Sequence, residues 1–249
     1  MKTIKIFFVL AFFFMSLQSS FANMVLENGR DALVGVFWYD GTLFFPQDRY
    51  LMSEGGYGTV SSERFQAMNP KDKEMVEAAA NLLEEARYVF SGVLYGWRFH
   101  YQPSDKLRNV KEVFRLEPIA QIPVGDPNLE PLSSDQKGIS LLRLQVRYHL
   151  TSKDMNHLAF RSSPSLLFST GMGSGSMQEN FAGRKEAIEQ SVKEAIRNHQ
   201  RKRLHAKPQV LSGIAYLEQP PRVFLKSGKF WADSRVLFQL KTVKQYFLP

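Results

Sequence analysis

The sequence predicts an α+β fold, mainly antiparallel sheet with two long helices packed on one face. Three observations predict it. The run "LLRLQVRYHL" at 141–150 alternates Leu142, Leu144, Val146, Tyr148 and Leu150 with Arg143, Gln145, Arg147 and His149, the period-two pattern of a half-buried strand. Two other segments, after Asn69 and after Ser176, repeat apolar residues at spacings of three and four, the stripe of a helix. Each is followed by consecutive extended runs, and helix-then-strands order favours antiparallel pairing covered by helices.

The chain opens with Lys2 and Lys5, then ten apolar residues from Ile6 to Met15, then "SLQSSFAN" with Ser20 and Ala22 before a cut. That is the pattern of a secretory signal peptide over 1–22. Ten helical residues rise about 15 Å, half of a hydrocarbon core, so the segment is too short for an anchor. No later segment has the length of a membrane helix. The whole chain is +8, and the first 22 residues carry two Lys and no acid, so the mature chain is +6. This favours anionic partners. Export argues against nucleic acid and against nucleotide ligands. The chain has no cysteine and holds 20 Phe, 9 Tyr and 3 Trp. Stability must therefore come from burial rather than disulfides, which fits a periplasmic or secreted bacterial protein.

Residues 23–68 read as an N-terminal hairpin and loop. Asp40-Gly41 lies between "LVGVFWY" and "TLFF", and Asp-Gly suits a type I′ turn. Residues 69–150 form a helix-plus-strands unit. Asn69 caps the helix and Pro70 suits its first position. Met75, Ala78, Ala79, Leu82, Leu83 and Ala86 make the apolar stripe, with Glu84 and Glu85 read as lying off it and the end placed near Arg87. Residues 93–101 then alternate as a strand. A second extended stretch over 113–122 is kinked or placed at an edge by Pro118, and 122–138, with three prolines, reads as a loop.

Residues 151–176 read as a flexible connection ending in "FSTGMGSGS". Strand, glycines and helix is the layout of a phosphate cradle. However, position 176 is Ser, which breaks G-x-G-x-x-G, and no Walker string exists. The glycines are therefore read as a joint, not a cofactor site, and no cofactor is expected. Residues 177–249 form a second helix-plus-strands unit. Ser176 and Glu179 have capping-box spacing. Ile188, Val192, Ala195 and Ile196 form the apolar face, and three strand-like runs follow, with a turn at Ser227-Gly228. "FSGVLYGW" at 90–97 and "LSGIAYLE" at 211–218 share Ser, Gly and Tyr in register, an echo that suggests a duplicated helix-then-strands unit.

Chemistry-bearing motifs are sparse. Ser134-x-x-Lys137 and Lys226-Ser227-Gly228 match two elements of a serine-type cell-wall enzyme. The mechanism needs Ser134 at a helix start with Lys137 one turn on, yet Gly138 follows and the middle S-x-N element is missing. No histidine pair has H-E-x-x-H spacing, so no catalytic and no metal-ligating residue is assigned. His100 and His149 would meet only if their strands were neighbours. The partner-binding residues selected are Arg197, Arg201, Lys202, Arg203 and Lys207, together with Trp38 in the aromatic run. No acid occurs between Ala195 and Leu217. Five positive charges exceed what complementing a helix C-terminus requires. The functional expectation is an exported envelope protein with a binding or structural role, docking to a protein or an anionic envelope component, with peripheral membrane contact through the same patch. The helical segments argue against an outer-membrane barrel.

Overall fold

In the computed structural model the fold is α+β, and every strand pairing is antiparallel. It describes residues 24–27, 30–40, 66–67, 70–137, 141–161, 163–203 and 208–246. The elements run β1 (Met24–Glu27), β2 (Arg30–Asp40), α1 (Pro70–Leu94), β3 (Trp97–Gln102), β4 (Val113–Pro118), β5 (Leu129–Lys137) and β6 (Leu141–His149). They continue with α2 (Ser152–Phe160), β7 (Leu167–Ser176), α3 (Phe181–Arg203), β8 (Pro208–Leu217), β9 (Arg222–Lys226) and β10 (Lys229–Gln245). A four-stranded sheet has the order β1-β2-β6-β5. A six-stranded sheet has the order β4-β3-β8-β10-β7, with β9 also paired to β10.

Sequence alternation becomes packing most plainly in β6. Leu142, Leu144, Val146 and Tyr148 are buried, and Arg143 is exposed. Helix α1 meets β2 and β6 of one sheet and β8 of the other, while α3 lies on β7, β10 and β9. Both sheets and both helices share one continuous core, in which Phe90, Leu94, Trp97, Ile188, Ile196, Phe230 and Phe238 are fully or nearly fully buried.

Several local expectations change. Helix α1 runs to Leu94, not Arg87, because Val89, Phe90, Val93 and Leu94 continue its buried stripe. Gly96, at φ +69°, then ends the turn, its N–H donating to Ser91 O, as glycine does after a helix. The strand expected over 93–101 therefore starts at Trp97. The expected loop at 122–138 contains β5, which tolerates Pro131 at a bulge in its pairing with β6. The capping box at Ser176 is not used; α3 begins at Phe181, and Ser176 Oγ accepts from the Gln178 N–H before it. The echo also dissolves, since Ser91 lies in helix α1 and Ser212 in strand β8. The Asp40-Gly41 hairpin falls partly outside the described residues. The extended stretch expected over 113–122 stops at Pro118, whose missing N–H cannot extend the ladder, and it lies at the sheet edge; Ser227 and Gly228, at φ +52° and +68°, make the tight turn between β9 and β10.

The largest change concerns 151–176, where α2 and β7 replace the flexible joint. All ten residues of β7 pair with β10. Gly171, Gly173 and Gly175 alternate along the face under α3. A Cβ on Gly173 would stand 2.1 Å from Ser191 N, and one on Gly175 1.9 Å from Gly183 O. These glycines set the distance between helix and sheet.

Two polar ties complete the frame. The Arg161 guanidinium donates through Nη1 to Val93 O at 2.8 Å and through Nη2 to Leu217 O at 2.7 Å and Glu218 O at 2.9 Å. It thereby caps α1 and fastens the end of β8, and burial lowers its pKa to about 10. Buried Asp154 accepts from Tyr95 Oη at 2.7 Å, Thr151 N at 2.9 Å and Thr151 Oγ1 at 2.5 Å. Burial pushes the Asp154 pKa up, but these hydrogen bonds outweigh it and hold it below the ordinary value.

Replacing Gly173 by Val should destabilise the protein by about 3 kcal/mol through overpacking, read as a lower urea midpoint at unchanged slope; an unchanged midpoint would mean that α3 can lift freely. Asp154 is depressed in the folded state, so its contribution is complete above its unfolded value, near pH 4, and fades as pH falls through the folded one. Asp154→Asn should cost about 2 kcal/mol at neutral pH. The gap from the parent should narrow in urea melts carried below about pH 3, and a pH-independent gap would refute this account of the charge.

Candidate functional site

The two sheets and both long helices converge on one cleft of about 380 Å³. Residues 36–38 of β2 and Arg143 of β6 form one wall. Residues 220–225, leading into and through β9, form the other, and Glu85 and Val89 of α1 with Arg184 of α3 form the back.

Arg184 is the central side chain. It is 2% exposed and its Nε and Nη2 donate to the Glu85 carboxylate at 2.7 and 3.0 Å. Its guanidinium carbon lies 4.7 Å from the Trp38 ring centre and 5.4 Å from that of Phe230, so one aromatic from each sheet flanks the cation. The Nη1 of Arg184 is buried without a hydrogen-bond partner among the described residues. Trp38 is held in turn by its indole N–H, which donates to Val223 O at 3.2 Å, a tie from β2 to β9. Arg143 pairs in register with Trp38 across β2 and β6. Arg222 reaches over Phe224, with its guanidinium carbon 5.6 Å from that ring centre.

The spacing of Arg184 carried a signal the sequence reading missed. It precedes Ile188 by four and Ala187 by three, so it lies on the apolar stripe of α3. Glu85 likewise follows Leu82 by three and precedes Val89 by four, on the stripe of α1 and not off it. An opposite charge on each of two apolar stripes is what a buried pair between two helices looks like in sequence.

The other candidate residues are dispersed. Arg197 is paired with Glu194 at 3.0 Å, a hydrogen bond that raises its pKa. Arg201 is exposed one turn further along α3. Lys202 and Arg203 complete the helix, and Lys207 lies outside the described residues. Trp38 is half-buried in the cleft wall rather than displayed on a free aromatic surface; its neighbours Phe37 and Tyr39 are core residues. Phe44 and Phe45 lie outside the described residues. Ser134 and Lys137 stand in strand β5, where positions three apart do not share a face, so the helix-start geometry required of them is absent. His100 and His149 lie in different sheets, and His149 Nε2 meets Glu130 at 3.0 Å instead. Among the described residues no group of three His, Asp or Glu is gathered to hold a metal.

Arg184→Met should leave the Glu85 charge buried and alone, at a cost of about 3–5 kcal/mol. The double variant Glu85→Met with Arg184→Met should recover most of that loss, so a thermal-melt cycle giving additive effects would show that the two side chains act independently.

The chain is similar to a protein of Treponema pallidum (strain Nichols) that carries the description "Uncharacterized protein". The two are 28% identical over 204 residues, which cover 78% of this chain and 84% of that one. No solved structure matches the chain. A protein-family model matches residues 57–246, a span that takes in α1, α3 and the six-stranded sheet, and the chain belongs to that family.

Proposed function

We propose that the protein is an exported component of a bacterial envelope, periplasmic or secreted, that works by binding rather than by catalysis and docks to an anionic partner through the end of α3. The observation that carries this reading is the exposed Arg201 at the start of an Arg-Lys-Arg run closing that helix. The docking patch is narrower than its sequence run. Arg197 spends its charge on Glu194, and Lys193, one turn earlier, spends its own on Glu112 at 2.9 Å. The export reading rests on the basic start, apolar run and small residues before position 23. Similarity to a Treponema protein is in keeping with a bacterial origin. Among the described residues no helix is long and apolar enough to cross a membrane, so envelope contact would be by the surface.

Charges at the end of a helix are screened within about 10 Å at 0.1 M salt, so docking should weaken as salt rises. Arg201→Gln with Lys202→Gln and Arg203→Gln should reduce co-sedimentation with phosphatidylglycerol vesicles about a hundredfold at low salt, from roughly 1 kcal/mol per charge. Equal sedimentation of parent and variant would remove the patch from the reading. Recovery of the natural protein from the cytosol with Met1 intact would remove the compartment.

A further inference from the structure

We propose that the cleft between the two sheets binds a small organic oxyanion, a phosphate monoester or carboxylate with an aryl or acyl body. This goes beyond docking through α3 and rests on different residues.

The cleft has the size of a small-molecule site, which typically spans about 300–1,000 Å³, at about 380 Å³. Its lining side chains carry more positive than negative charge. Three arginines, Arg143, Arg184 and Arg222, face one carboxylate, Glu85, and that carboxylate is committed to Arg184. Among the described residues no ion pair engages Arg143 or Arg222. A concave wall of low dielectric concentrates the field of such an excess.

The arginines also differ in what they supply. Arg184 is immobilised before any ligand arrives, gripped by Glu85 and flanked by Trp38 and Phe230, so binding costs little further ordering of that side chain. Its Nη1, buried and unpartnered among the described residues, is a donor at the back of the cleft that an oxyanion would satisfy. Arg143 and Arg222 stand exposed on opposite walls and can close on the same head group as planar two-pronged donors. The body of the ligand has its own surface. Val36 and Leu225 are 39% and 36% exposed, and Pro220 and Pro221 complete a rigid apolar rim. An inorganic anion would leave that rim wet, and a neutral hydrocarbon would leave the arginines without a counter-charge.

The test is a calorimetric titration of the protein with phenyl phosphate, inorganic phosphate and phenol. Phenyl phosphate should bind at least tenfold more tightly than either fragment. Arg143→Gln with Arg222→Gln, two surface changes that leave the Arg184–Glu85 pair in place, should weaken it at least tenfold without lowering the melting temperature. The triple glutamine variant at the end of α3 should bind phenyl phosphate as the parent does. The proposal is overturned if phenyl phosphate does not saturate, if inorganic phosphate binds equally well, if the Arg143/Arg222 variant binds like the parent, or if only the α3 variant loses binding.

Discussion

The fold turns on the buried contact between Glu85 and Arg184. It joins the two long helices, which meet again where Tyr88 Oη donates to the Glu189 carboxylate at 3.1 Å, and aromatics from both sheets, Trp38 and Phe230, flank the cation. Such a pair is a poor source of net stability, because removing two ions from water costs several kcal/mol each and the attraction repays this only with good geometry. What it provides here is register. Sliding either helix by one turn, about 5.4 Å, would part the charges and leave both desolvated. The apolar stripes alone would tolerate that slip far better, since one Leu or Ala in a stripe resembles the next.

For Arg184 to reach Glu85, α3 must lie close to its sheet, and the glycines of β7 allow that. Gly171, Gly173 and Gly175 occupy alternate positions on the strand face beneath Ser191, Ala187 and Gly183. Beside them Ser191 Oγ and Ser234 Oγ share a buried hydrogen bond between α3 and β10, again a contact between small side chains. The stretch that looks in sequence like a hinge or a cradle is thus a close helix-to-sheet contact with no room for side chains. Glycine has two physical uses, freedom of the backbone and absence of a side chain, and the one-letter string does not say which is in force. The period-two spacing of 171, 173 and 175 does: a mobile linker has no reason to place its glycines on one face.

Legibility followed the same division between local and distant causes. Strand β6 was readable because its alternation is imposed by one neighbourhood, core on one side and water on the other. The Ser227-Gly228 turn and the edge position of Pro118 were readable because backbone stereochemistry sets them. The end of α1 was not, since "VLYGW" satisfies both periods and only Gly96 breaks the tie. Strand β5 was hidden by Pro131, whose missing N–H is accommodated at a bulge that only the partner strand β6 defines. The candidate site was the least legible part. Its walls come from β2, β6, α1, α3 and the start of β9, and no window of sequence contains two of them together. The signal that did exist, Glu85 and Arg184 lying on apolar stripes, becomes decisive only when one buried charge is recognised as needing the other.

Net charge shows the same limit from another side. A net charge of +8 says that cations exceed anions, not where. In the folded protein many cations are answered locally, as Arg108 by Asp105 at 2.8 Å, Arg87 by Glu84 at 2.6 Å and Lys193 by Glu112, and each such pair removes its charge from the field felt at a distance. What is left to act on a ligand is concentrated by topology: the closing turn of α3 gathers cations along one chain segment, while the cleft gathers Arg143, Arg184 and Arg222 from three. The first arrangement can attract a surface but has no shape with which to choose among anions. The second is concave, partly apolar and held at its back by an internal ion pair, the kind of arrangement that discrimination between one anion and another requires.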